Sequence, residues 1–128
     1  MRLTKEKPDG NFETALNLFY AKDRSVWVRG GGPSPAYEDV SLDDWIRSLF
    51  RQYGDFKEVA DYTDSEVCEM MGDMIFDGTE TIDGLLATIY QAAWAFAEIR
   101  AKLEEYEDIG LEPREVKELK ARMDGLMK

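Results

Sequence analysis

From Thr81 to about Asp108 the apolar residues recur with helical periodicity in two overlapping series, one through Ile82, Leu86, Ile89, Ala93 and Phe96, the other through Leu85, Ile89, Ala92, Phe96, Ile99, Leu103 and Tyr106. A helix of that length spans about 40 Å, longer than a small domain needs. Two apolar seams on one rod predict that it packs on its own domain on one side and on another subunit on the other. A homo-oligomer is expected, with Phe96, Ile99, Leu103 and Tyr106 in the contact. The alternative is a single wide stripe facing the core of a monomer.

The segments before this helix predict what it packs against. Ser41 is a good N-cap, Asp43 and Asp44 suit a helix start, and Leu42, Trp45, Ile46, Leu49 and Phe50 recur at helical spacing until Gly54. A second helix is predicted from about Asp64, capped by Thr63 or Asp64, with Val67, Met70, Met71, Met74 and Ile75 on one face and Gly78 as its stop. After Gly110 a short charged helix is expected from Pro113 to Met123, proline being harmless in a first turn. Upstream, alternation in residues 25–29, and loosely in 15–20, reads as a β-hairpin bent at Lys22-Asp23. Gly30-Gly31-Gly32-Pro33-Ser34-Pro35 ends it. No Lys-Ser/Thr or Gly-x-Gly-x-x-Gly pattern follows, so the glycines read as a flexible linker and not as a phosphate loop. The expected fold is α+β and mostly helical: an N-terminal hairpin or small sheet on three main helices, plus a short C-terminal helix. It forms one domain over residues 1–128, with the hairpin and linker in 1–36 and the helical part in 37–128.

Charge is distributed unevenly. Residues 38–83 hold fourteen acidic side chains against Arg47, Arg51 and Lys57, so the formal net charge of −11 sits in that stretch while the remainder cancels. Such a field repels nucleic acid and attracts basic surfaces, and direct binding to DNA is not expected. The 44% hydrophobic content is too high for a disordered acidic chain. Cys68 is the single cysteine, which allows no intramolecular disulfide, and the polar start MRLTKEKPDG is no signal sequence. A cytoplasmic location is expected. The most apolar run, residues 85–99, is too short and too interrupted to span a bilayer. With no histidine, the commonest general base and transition-metal ligand is missing, and no catalytic residue, metal or cofactor is expected.

Within the acidic stretch, Glu66, Glu69, Asp73 and Asp77 follow at three, four and four residues, inside about 80° of one helix face. Like charges so spaced repel, and no lysine or arginine alternates with them. One turn rises about 5.4 Å, comparable with phosphate spacing along a strand, so the stripe imitates a nucleic-acid backbone. Glu58, Asp61, Glu80 and Asp83 extend the same candidate partner-binding surface. A solvated acidic face that aids solubility is the plain alternative.

Other constellations point elsewhere. Glu66-x-x-Glu69 followed by Glu80-x-x-Asp83 resembles the paired motifs that bind Mg²⁺ in the all-α nucleoside triphosphate pyrophosphatases. The gap is shorter than in that family, and Lys57 is the sole basic residue from Gln52 to Ile99. Cys68 among acidic neighbours reads as a packed residue, and Asp77-Gly78-Thr79-Glu80 as a helix-to-helix turn rather than a calcium loop. Phe19, Tyr20 and Trp27 with Lys22, Arg24 and Arg29 form a basic-aromatic cluster suited to stacking bases, or to covering helices.

The opening RLTKEKPDGNFETALNLFYAKDRSVWVR and the closing YEDIGLEPREVKEL resemble the two ends of small proteins encoded by phages and prophages of Firmicutes. The positions that carry this are Gly10 to Glu13, Ala21 to Asp23 and Tyr106 to Val116, and the acidic middle departs from the pattern. The resemblance implies a phage origin. Joined to the acidic surface, it leads to a non-enzymatic, anti-CRISPR-like inhibitor of a host defence protein that handles nucleic acid. A helical assembly adaptor is the second expectation and an Mg²⁺-dependent pyrophosphatase the third.

Overall fold

The structure, a computed structural model, describes residues 2–126. It is α+β and mostly helical, a small antiparallel sheet near the N-terminus packed with five helices. The order is α1 (Asn11–Leu16), β1 (Phe19–Lys22), β2 (Ser25–Val28), β3 (Val40–Ser41), α2 (Leu42–Tyr53), α3 (Asp64–Met74), α4 (Ile82–Ile109) and α5 (Pro113–Leu126). Short 3₁₀ turns at Lys57–Asp61 and Ile75–Asp77 flank α3. No helix among the described residues is long and apolar enough to cross a membrane.

The helix boundaries follow local chemistry. Ser41 Oγ accepts from Asp44 N at the start of α2, and Thr63 with Glu66 completes a reciprocal capping box on α3. Thr81 accepts from Gly84 N on α4, and Gly110, in the left-handed region at φ +81°, ends that helix.

The N-terminal part departs from expectation in three ways. Residues 11–16, expected in part as strand, form α1. The hairpin turns one residue later than the sequence predicts: Lys22 pairs with Ser25, and Asp23 and Arg24, at φ +52° and +61°, make the left-handed corner that suits the twist of two strands. The Gly/Pro segment is a hydrogen-bonded loop. Gly32 N donates to Glu38 O at 2.7 Å, Tyr37 N to Pro33 O at 3.1 Å and Gly30 N to the Asp39 carboxylate at 2.9 Å, delivering β3 alongside β2.

The core lies between the sheet and α2, α3 and α4. Val26 and Val28 point inward from β2, as alternation requires, onto Leu42, Ile46 and Phe50 of α2, Val59, and Val67 and Met71 of α3. The residues that α4 buries are Gly84, Leu86, Ala87, Tyr90, Ala93, Ala97 and Arg100. Alanines there let the sheet and helices approach closely. The series Leu85, Ala92, Ile99 and Tyr106 stands in solvent, whereas Ile82, Ile89, Phe96 and Leu103 are half-covered by their own chain. Phe96, for instance, meets the edge of Phe19 at 6.1 Å.

The N-terminal arm is tied to α4 by side chains the sequence did not single out. Glu107 accepts from Leu3 N, Thr4 N and the Thr4 hydroxyl. Burial opposes its charge, but those donors outweigh it and hold the carboxyl below its ordinary range. Asn17, fully buried, joins this arm to α1 and to Arg100 of α4.

Candidate partner-binding surface

Four of the eight acidic candidates lie on turns, because the chain between α2 and α4 is built from one helix and short 3₁₀ segments. Glu58 and Asp61 lie on the first 3₁₀ turn, Glu66, Glu69 and Asp73 on α3, Asp77 on the second 3₁₀ turn, Glu80 in the bend after it, and Asp83 in the first turn of α4. The α-helix ends at Met74, so the regular stripe runs only through Glu66, Glu69 and Asp73. Asp77 follows on a tighter spiral and leaves that line.

Two candidates are committed inside the fold. Glu66 accepts from Thr63 N at 3.1 Å as the return half of the capping box. Asp83 is half-buried and accepts from Asp55 N at 2.8 Å and Phe56 N at 3.0 Å, clasping the end of α2 to the start of α4. The other six, Glu58, Asp61, Glu69, Asp73, Asp77 and Glu80, are exposed, and among the described residues none is in an ion pair. Arg47, the one arginine close by that pairs, is occupied by Asp44 at 2.6 Å and by Asp64, and donates to Tyr62 O. All eight keep an unpaired negative charge, but only these six carboxylates are free of a structural hydrogen bond and so available to a partner.

The same geometry separates the motif of the pyrophosphatase comparison. Glu66 and Asp83 face different backbone donors, and no three carboxylates among the described residues converge into a cation site. On the hairpin, Phe19 packs edge-on against Trp45 and Phe96, and Trp27 donates to Lys22 O. Tyr20 lies under the Arg29 guanidinium and donates to Asp39; burial, then that bond, pushes its phenol up to about 12. Phe19 thus covers the helices, while Tyr20 and Trp27, paired across the strands on the opposite face of the sheet, are half-covered and held by these local contacts.

Sequence reasoning also missed a buried acid. Asp43, on the first turn of α2, is 7% exposed and accepts from the Tyr90 hydroxyl at 2.8 Å. Burial raises its pKa, partly opposed by the Tyr90 bond. A group raised in the folded state contributes stability below its unfolded pKa and loses it as pH rises through the folded one. Asp43→Asn keeps an oxygen for Tyr90 and removes the charge. It is expected to be more stable than the native chain in urea unfolding at pH 7, with the gap closing toward pH 4. A gap that widens on acidification contradicts this assignment.

Comparison of the chain with known protein families, curated proteins and solved structures finds no match.

Proposed function

We propose that this chain is a non-enzymatic, phage-encoded inhibitor that covers the basic nucleic-acid-binding surface of a host defence protein, a CRISPR effector being the foremost case, in the host cytoplasm. One observation carries the reading: six exposed carboxylates between Glu58 and Glu80 have neither a basic partner nor a structural hydrogen bond within the described residues, and the exposed Glu66 adds its charge beside them. Such a surface is electrostatically complementary to a groove that otherwise holds phosphates, and it steers association with one. Phage origin and a defence target rest on the resemblance of the two chain ends.

The test reverses Glu69, Asp73, Asp77 and Glu80 to lysine and leaves Glu66 and Asp83, which hold the fold, untouched. Affinity for a nucleic-acid-handling effector of the host is expected to fall about a hundredfold, with inhibition lost and circular dichroism unchanged. Native binding should weaken steeply with added salt. Undiminished inhibition by the folded variant rules the reading out. The adaptor reading is favoured by a different observation, the exposure of Ile99 and Tyr106 on α4, and predicts binding insensitive to salt.

A further inference from the structure

Among the described residues, α5 is the one helix that exposes every side chain. A helix of fourteen residues is marginal when alone in water, so its apolar side calls for a cover. That side is ordered. Val116, Leu119, Met123 and Leu126, 41 to 85% exposed, follow in steps of three, four and three, the a and d positions of a heptad. At its base the seam runs into a cleft of about 540 Å³ whose lining includes Val116, Leu103, Tyr106 and Leu111.

We propose that α5 zips in parallel against the α5 of a second copy of this chain. Charge complementarity selects that occupant. Glu115 and Lys120 flank the seam at g and e, five residues apart, so an in-register parallel pair sets each Glu115 beside Lys120 of the second copy, twice by symmetry. An antiparallel pair brings the two Lys120 ammonium groups together. Neither residue is in an ion pair among the described residues, whereas Arg114 and Glu118 pair with each other at 3.4 Å on the outer side. Valine at the first a position and leucine at both d positions favour two parallel strands. The proposal shares no residue with the acidic surface and stands or falls separately from it.

Two heptads make a short zipper, and association in the range of roughly tens of micromolar is expected. Sedimentation of the full chain from about 5 to 200 µM is the experiment. The native chain should pass from monomer to dimer, and Leu119→Asp should stay monomeric with an unchanged thermal transition, because the body of the fold does not rest on α5. Glu115→Lys should weaken association about tenfold, and adding Lys120→Glu should restore it, which only the parallel register allows. Ile99→Asp on α4 should still dimerise. A native chain that stays monomeric, a Leu119→Asp dimer, loss of the dimer in Ile99→Asp alone, or a charge-swapped variant no tighter than Glu115→Lys would each overturn the proposal.

Discussion

Replacing Gly84 with alanine is expected to destabilise the fold by about 3 kcal/mol, lowering the midpoint of thermal unfolding by roughly 10 °C or more. The first turn of α4 lies against the bend that follows α3. A Cβ at position 84 would meet the Gly78 carbonyl oxygen at 1.9 Å and the Thr81 hydroxyl at 2.9 Å. Both neighbours are constrained: Gly78 sits at φ +75°, and Thr81 caps α4 by accepting from Gly84 N. Relief requires moving the bend, which takes Asp83 off the Asp55 and Phe56 amides. Gly72, within α3, supplies the comparison, since nothing lies within 4 Å of its added Cβ. Gly72→Ala should be neutral or gain up to about 1 kcal/mol from helix propensity. Equal melting of the Gly84 and Gly72 variants would show that the approach of the two backbones is not tight.

Asn17→Ala should cost about 3 kcal/mol. Asn17 is fully buried, and its amide uses its full capacity. Oδ1 accepts from Lys5 N at 2.8 Å and Arg100 Nε at 3.0 Å, while Nδ2 donates to Leu3 O at 3.0 Å and Glu13 O at 2.7 Å. Alanine leaves two donors and two acceptors to find other partners, and one of them is on a guanidinium that burial already disfavours. Asn17→Asp supplies the acceptor but turns an oxygen toward two carbonyls, so it should rescue only part of the loss. The measurement is urea unfolding combined with amide exchange at Lys5, whose protection should fall with the global stability. A loss below about 1 kcal/mol would mean that water or the arm itself replaces the amide.

Much of the helical part was legible because its signals are local. Ser41 and Thr63 as caps, Gly54 as a stop and Pro113 in a first turn each act through atoms within a few residues, so spacing located α2 to α5, although Gly78 closes the 3₁₀ turn after α3 and not α3 itself, which ends at Met74. The acidic segment was equally legible, since charge is counted without a fold. The role of each acid was not. Asp83, Asp43 and Glu66 look no different in sequence from Glu69 or Asp73, yet backbone amides and a distant tyrosine hydroxyl claim the first three.

What only the tertiary structure decided is which periodic faces are covered. The series on α4 read from sequence are real, but the arrival of β1 half-covers Phe96 and leaves Ile99 in solvent, and α1, with Asn17 behind it, displaces an alternation expected to be strand. Those outcomes depend on contacts between residues far apart in sequence, such as Phe19 with Phe96 and Asn17 with Arg100. Periodicity states that a face is apolar or polar. Only the packing of distant segments settles what meets it, because burial free energy depends on the area that another part of the chain removes from water.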